Sequence, residues 1–502
     1  MALPTTSPAA PAPTTPHRRP SWLTPRVLRT EALAGLVVAL ALIPEAISFS
    51  VIAGVDPRVG LFASFTMAVS IAVLGGRPAM ISAATGAIAL VIAPVVRDHG
   101  LDYLLATVVL GGLLQVVLGV LGVAKLMRFV PRSVMVGFVN ALAILIFLAQ
   151  VPHMRDVPWI VYPMIAVGLA LMVFFPRLTR AVPAPLVAIV LLTVVTVAAH
   201  LAIPNVGDEG RLPDSLPFPL LPNVPLTFHT LSVIAPYALG MALVGLMESL
   251  MTAKLVDDVT DTRSPKSREA WGQGVANIVT GFLGGMGGCA MIGQTMINVK
   301  AGARTRASTF LAGVFLLVLV VGLGDVVAVI PMAALVAVMI MVAVGTFDWH
   351  SVRPATLARM PKSETTVMVA TVVVVVATEN LAIGVIVGVL LAALLFARRV
   401  AHLVEVTSTL DPDARTRTYS VAGALFFASS DDLVTRFDYA GDPAHVVVDL
   451  SGAHVWDAST VAALDAIETK YAARGKTLRI TGLNEASSTL HQRLAGHLGG
   501  GH

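Results

Sequence analysis

The sequence predicts an all-α polytopic membrane protein of fourteen transmembrane segments, built as two inverted seven-segment repeats, with a small C-terminal α/β domain. Three observations predict this. Hydrophobic residues make up 56% of the 502 and charged residues 13%, with mean hydropathy +0.83. An average globular chain carries about 25% charge, so most of the solvent of this chain is lipid. Apolar runs recur from Ala32 to about residue 397, and the composition changes abruptly after Arg399. Residues 1–399 hold 18 acids against 26 bases, whereas 403–502 hold 12 against 8.

The N-terminal residues 1–25, with prolines at 4, 8, 11, 13, 16 and 20, cannot hold a helix or bury apolar area and are expected to form a disordered cytoplasmic tail. Apolar runs then fall near 32–54, 59–74, 79–96, 101–122, 130–150, 157–175, 184–203, 231–256, 268–286, 287–303, 306–323, 326–346, 365–378 and 381–397. A span needs roughly 20 apolar residues. Charge tests the count independently, because Lys and Arg accumulate in cytoplasmic loops. With the N-terminus inside, the inside segments hold 22 Lys and Arg and the outside ones only Arg58, Arg97, Arg155 and Arg211. Both termini are therefore expected in the cytoplasm.

The proline-rich stretch 204–230 is the longest loop and divides the spans into repeat 1 (26–203) and repeat 2 (231–400). Halves with an odd number of spans sit inverted. Pro44-Glu45 matches Met247-Glu248, Ala79-Met80-Ile81 matches Ala290-Met291-Ile292, and Val130-Pro131 matches Ile330-Pro331, with offsets of 203, 211 and 200. Inverted repeats mark secondary transporters, whose substrate sites lie at the bilayer midplane where the repeats meet. Residues 401–502 read as strand (418–428), strand (444–450), helix (458–474), strand (476–481) and helix (484–497), a soluble α/β domain in the cytoplasm.

Other chemistry is excluded by what the chain lacks. The single cysteine, Cys289, rules out a disulfide framework, and neither it nor the 12 histidines show metal-ligand spacing. Gly475-Lys476-Thr477 fails as a phosphate loop because Lys470 stands where the first glycine is required. The bases form no single stripe, so no nucleic-acid partner is expected. No enzyme activity, metal or cofactor is expected.

Glu45 and Glu248 lie inside predicted spans, where a charge costs about 2.5–3.5 kcal/mol on insertion scales. Each must face the protein interior or a watery cavity, or be protonated; a place near a membrane face or a structural hydrogen bond is the alternative. Burial disfavours an ionised carboxyl, which suits a proton carrier. The third and tenth runs are the weakest continuous helices. Arg77-Pro78 and 82–86 interrupt one, and Gly284, Gly285, Gly287, Gly288 and Gly293 the other. An extended stretch followed by a half-helix leaves free backbone N–H groups and a positive dipole end, an anion site without a fixed cation. Thr85, Gly86, Ala87, Gly293, Gln294 and Thr295 would supply it. Close helix packing is the alternative use of the glycines.

These residues resemble a known family. Ile43-Pro44-Glu45-Ala46-Ile47-Ser48-Phe49 with Ala53-Gly54 and Gly60-Leu61 is similar to the first-helix signature of the SulP anion transporters (sulfate permeases and relatives). The stretch 284–308, reading GGMGGCAMIGQTMINVKAGARTRAS, resembles that family's tenth span, and the tail resembles its STAS domain. The resemblance implies a core and a gate domain, with an anion held between the third and tenth half-helices and flanked by the first and eighth spans. It also implies a bacterial inner-membrane location and a homodimer, with the STAS domain open to a cytoplasmic regulator. Phe49 matches the aromatic lining position, and Glu248 an acidic coupling position. Gly293 and Gln294 stand where many members have Ser and Arg, which removes a fixed positive charge.

The expectation is proton-coupled symport of a small anion (inorganic oxyanion, bicarbonate or dicarboxylate), with Glu248 or Glu45 carrying the proton and sodium the less favoured ion. The missing arginine and the two carboxylates favour a carboxylate. Alternatives are a nucleobase transporter of the same membrane fold, against which the tail and the tenth span argue, and a passive anion channel or signalling scaffold. In the tail, Val447-Val448-Asp449-Leu450 and Trp456-Asp457-Ala458-Ser459 resemble the STAS strand, loop and helix start. Ser459 sits at the position phosphorylated in bacterial anti-sigma antagonists, though Asp457 and Ser459 equally suit plain helix capping.

Overall fold

A computed structural model describes residues 24–122, 130–178, 183–401 and 404–497. The expected disordered tail falls outside the described residues, apart from Thr24 and Pro25, as do Lys125, Arg128 and Arg180 of the charge count. The chain divides into two compact units at Gly388 and Val389.

In the first unit, α1 (Pro25–Ala53) starts on a proline, whose missing amide is harmless in a first turn, and ends at Gly54 with φ of +74°. α2 (Pro57–Leu74), β1 (Ser82–Ala83), α3 (Gly86–His99), α4 (Leu101–Val120), α5 (Arg132–Leu148), α6 (Val161–Leu178) and α7 (Ala184–Ala198) follow. The second half runs α8 (Phe228–Thr260), α9 (Lys266–Phe282), β2 (Cys289–Ala290), α10 (Ile292–Lys300), α11 (Arg306–Gly322), α12 (Gly324–Ala328), α13 (Met332–Thr346), α14 (Pro354–Arg359), α15 (Lys362–Thr378) and α16 (Leu381–Ala401), the unit boundary falling within α16. Each half therefore reads helix, helix, two-residue strand, then five helices, with the short α12 and α14 added in the second. Seven helices, α1, α2, α4, α5, α6, α8 and α16, are long and apolar enough to cross a membrane alone. Helix length thus accounts for seven of the fourteen expected crossings; α7, α11 and α13 are shorter apolar helices.

Packing sorts the helices into two groups. α1, α2, α3, α4, α8, α9, α10 and α11 pack among themselves, as do α5, α6, α7, α13 and α15, while α1 against α13 and α7, and α3 against α5, join the groups. Small residues allow the tightest approaches. A Cβ on Gly112 of α4 would lie 2.6 Å from the Gly274 carbonyl oxygen of α9, and one on Gly274 2.6 Å from that of Gly112.

β1 and β2 cross antiparallel, with Ser82 opposite Ala290 and Ala83 opposite Cys289. Extended backbone at membrane depth survives only where protein supplies its hydrogen bonds. Here the Met291 amide donates to the Ile81 carbonyl (2.9 Å), and the Ile81 amide to Thr295 Oγ1 (3.0 Å). The Ala84 amide donates to Ser64 Oγ (3.3 Å) and the Ala290 amide to Ser249 Oγ (3.1 Å). Asn277 holds both backbone groups of Gly288, accepting from its amide (2.8 Å) and donating to its carbonyl (3.0 Å). Glu269, Gln273, Asn277 and Thr280 form a buried polar stripe along α9 at helical spacing. Gln273 Nε2 donates to Ser82 Oγ (2.6 Å), and Thr280 Oγ1 meets Thr66 Oγ1 (2.7 Å).

The second unit is a four-stranded sheet with helices. β3 (Glu405–Leu410), β4 (Thr416–Leu425), α17 (Phe427–Thr435), β5 (His445–Val455), α18 (Ala458–Ala472), β6 (Thr477–Thr481) and α19 (Glu485–Leu494) follow in order. Strand order is β3-β4-β5-β6, with β3 antiparallel and the other pairs parallel. β3 and α17 are additional to the sequence expectation. Val448, Leu450, Val461, Leu464 and Ile467 are fully buried in its core. Beside them the buried Asp442 carboxylate accepts from the hydroxyls of Tyr419 (2.9 Å) and Tyr471 and pairs with Arg417 (3.3 Å). Burial and that carboxylate push the Tyr471 phenol above its ordinary range. Asp442→Ala would strand two phenols and a guanidinium, and is expected to cost this unit about 3 kcal/mol. Thermal unfolding followed in this unit should show a midpoint lower by roughly 10 °C or more.

Candidate functional site

A cavity of about 500 Å³ lies where the two helix groups meet. Pocket volumes of about 300–1,000 Å³ suit small molecules. Its lining comes from both halves: Glu45 and Phe49 of α1, Thr85, Gly86 and Ala87 at the start of α3, Glu248 and Met251 of α8, and Met291, Ile292 and Gly293 at the start of α10. α5 and α13 close the other side, through Phe138, Leu142, Ile146, Val342 and Thr346 among others.

The start of α3 is built by Thr85, whose backbone is extended and whose hydroxyl accepts from the Ile88 amide. The N-cap of α10 is Met291, which offers no side-chain acceptor. The first amides of a helix have no intrahelical acceptor. Among the described residues, those of Gly86 and Ala87 in α3, and of Ile292, Gly293 and Gln294 in α10, find no protein acceptor. Five donors and two positive dipole ends therefore converge on this region. The Thr295 amide is not one of them, because it bonds the Met291 carbonyl (3.0 Å), and its hydroxyl is engaged by the Ile81 amide.

The two carboxyls are held similarly. Gln294 is buried and its Nε2 donates to Glu45 Oε1 (2.9 Å). The Cys289 thiol donates to Glu248 Oε2 (3.0 Å), and Cys289 Sγ also meets Thr85 Oγ1 (3.1 Å). No Lys, Arg or His is among the lining residues. Buried Gln294 Oε1 has no hydrogen-bond partner. A larger groove of about 720 Å³ between α4 and α8 is walled almost wholly by apolar side chains and carries no charge.

Of the residues singled out in the sequence, Glu45, Phe49, Thr85, Gly86, Ala87, Glu248 and Gly293 line this cavity, Gln294 touches it through Glu45, and Thr295 faces the strand crossing. Cys289, Met251 and the α5 and α13 side chains went unmarked. Cys289 stood inside the glycine-broken stretch, which was its one available signal; the apolar α5 and α13 residues carry none. Ser459, in the second unit, is exposed in the first turn of α18, where Asp457 caps by accepting from the Thr460 amide (3.0 Å). Among the described residues no cluster of His, Cys, Asp and Glu could hold a metal ion.

A Cβ on Gly293 would meet nothing within 4 Å. Gly293→Ala is therefore expected to keep stability within about 0.5 kcal/mol, while Gly293→Trp should fill the cavity and abolish transport without a comparable loss of thermal stability. Uptake and melting curves on the same two preparations check this.

The model of the Sulfate permease family matches residues 28–163 and 156–371, and that of the STAS domain residues 409–495. "Putative sulfate transporter YbaR" of Bacillus subtilis (strain 168) is 54% identical over 93% of this chain and 97% of its own length. "Bicarbonate transporter BicA" of Picosynechococcus sp. is 25% identical over 88% of this chain and 87% of its own. Among solved structures, the inward-facing murine Solute Carrier 26 family member A9 aligns with TM-score 0.80 at 16% identity, covering 94% of this chain and 89% of that one. The transmembrane domain of a cyanobacterial BicA aligns with TM-score 0.64 at 24% identity, covering 72% and 98%. These two structures bear on the fold alone.

Proposed function

We infer the function from a premise the family matches establish: the chain belongs to the sulfate permease family, and is an integral membrane anion transporter rather than an enzyme. The finer reading proposed here is secondary active symport of a small anion with protons. The anion sits at the starts of α3 and α10, held by the amides of Gly86, Ala87, Ile292, Gly293 and Gln294, with Thr85 and Phe49 shaping its seat.

One observation carries the proton coupling. Glu45 and Glu248 both line the cavity, and no basic side chain does. Two ionised carboxylates would repel an anion across a low-dielectric cavity, so the anion enters with protons bound to one or both. Glu248 is the principal carrier, and Gln294 can serve Glu45 in either state: its amide nitrogen donates to the carboxylate, and its unpartnered Oε1 can accept from the acid after an amide flip. Alternating access follows as rocking of the α5–α7, α13 and α15 group against the other, around a site at their boundary.

The same reading has the chain cross the inner membrane fourteen times, with residues 26–203 and 231–400 as inverted repeats and both termini cytoplasmic. Residues 401–502 are then a cytoplasmic STAS domain available to a regulator, with Ser459 exposed for modification, and the transporter acts as a homodimer. The relatives named as sulfate and bicarbonate transporters support small oxyanions as substrates, and a dicarboxylate stays within the same reading because protonated Glu45 and Glu248 would no longer repel it. Proteoliposome uptake of labelled sulfate, bicarbonate, succinate and uracil, with and without an imposed pH gradient, tests it. Accumulation of one anion only under an inward proton gradient is expected. Flux indifferent to that gradient would favour a channel, and uracil uptake a nucleobase carrier.

A further inference from the structure

A second cavity, of about 560 Å³, opens where α2 ends and α11 begins, and combines charge with apolar surface. Its walls include Val73, Pro78 and Phe310 beside Arg304 and Arg306. Val73 and Phe310 are 63% and 42% exposed, so the mouth is greasy as well as cationic.

The arginines are fixed by backbone rather than by carboxylates. α2 ends with carbonyls that have no helical partner. Arg306 donates to those of Ala72 (3.0 Å) and Gly75, and Arg268 to those of Val73 (3.2 Å) and Leu74 (3.1 Å). Arg304 Nη1 donates to the Val299 and Ala303 carbonyls, both at 2.7 Å. None of the three forms an ion pair among the described residues, where the ion-paired bases are Arg58, Arg77, Arg97, Lys266 and Arg417. The two nearby acids are taken up chiefly by backbone: Glu269 accepts from the Gly76 and Arg77 amides and from Gln273, and buried Glu31 from the amides of Arg304 (2.8 Å), Thr305 (3.0 Å) and Ser308 (3.1 Å). A helix C-terminus offers only about half a negative charge. Two guanidiniums of the pocket wall, Arg304 and Arg306, with Arg268 close behind, are thus preset in direction with N–H groups left over and no carboxylate hydrogen-bonded to them, beside exposed apolar side chains.

We propose that this pocket binds one anionic phospholipid, its phosphate against Arg304 and Arg306, with Arg268 adding positive charge behind them, and the start of its acyl chain along Val73 and Phe310. Guanidinium groups match phosphate oxygens in forked geometry, and basic pockets between membrane helices on the cytoplasmic side suit such headgroups. A free phosphate would satisfy the arginines equally well but leave Val73 and Phe310 bare. The inference is independent of which anion the central cavity carries.

Native mass spectrometry of the full chain in neutral detergent, with phosphatidylglycerol or phosphatidylcholine of the same acyl chains, tests it. The wild type should retain one phosphatidylglycerol in preference to phosphatidylcholine. Arg304→Gln, an exposed position, should lower that retention about fivefold, the worth of one cation near a lipid surface. Equal retention of the two lipids by the wild type, which needs no variant, would overturn the proposal. So would unchanged retention in Arg304→Gln, or displacement of the lipid by millimolar inorganic phosphate, which would assign the pocket to a free anion.

Discussion

Glu248→Gln is expected to abolish accumulation driven by a proton gradient while leaving anion binding within about threefold, a change of under 1 kcal/mol. Glutamine reproduces the shape of the protonated acid, and its amide can still meet the Cys289 thiol that now donates to Glu248 Oε2 (3.0 Å). What it cannot do is gain and lose a charge. One coupled proton supports about tenfold accumulation per pH unit, because each unit is worth about 1.4 kcal/mol; the variant should show none. Equilibrium binding and gradient-driven uptake, measured on the same proteoliposomes, separate the two effects. Normal gradient-driven uptake by Glu248→Gln would remove this residue from the coupling.

Gly288→Ala is expected to be the most damaging small substitution in the membrane unit. A methyl there would lie 2.0 Å from the Ala83 carbonyl oxygen and 2.6 Å from its carbon. Both are backbone atoms of the facing strand, so no side chain can turn aside. Asn277 also grips the Gly288 amide and carbonyl, which prevents the segment from backing away. Forcing the strands apart should cost about 3 kcal/mol or more, and it would displace the starts of α3 and α10 together. A lower melting temperature and lost uptake are expected, against near-normal stability for Gly293→Ala. A wild-type melting curve and wild-type uptake for Gly288→Ala would mean that the strand crossing does not hold the site.

Much of this arrangement was legible in the sequence. Apolar runs located the helices, and the glycines from 284 to 293, with the Arg77-Pro78 break, located the two interrupted segments. The equivalence of Glu45 and Glu248 followed from a single offset. The pairing of β1 with β2 was not legible, because a two-residue strand has no periodicity to read. Nor were Phe138, Ile146 and Val342, since an apolar residue that lines a cavity looks like one that faces lipid. The α9 stripe differs: Glu269, Gln273, Asn277 and Thr280 stand at spacings of four, four and three, a visible helical face of polar residues inside an apolar chain. Glu269 and Asn277 spend their polarity on the backbone around the two strands and Gln273 on the Ser82 hydroxyl, while Thr280 bonds Thr66 of α2, so most of the stripe marks where the broken segments cross. Thr295 shows the limit of reading amides from sequence, since the helix itself takes its N–H.

Substrate protection at position 293 tests the central claim most directly. A Gly293→Cys variant places a thiol at the exposed start of α10, beside the amides assigned to the anion, whereas native Cys289 is fully buried. Its alkylation by a small water-soluble thiol reagent, followed by peptide mass spectrometry, should slow saturably as the transported anion is added, with half-protection near the KM for uptake. Alkylation at one unchanging rate, at anion concentrations that saturate transport, would contradict an anion held at the starts of α3 and α10.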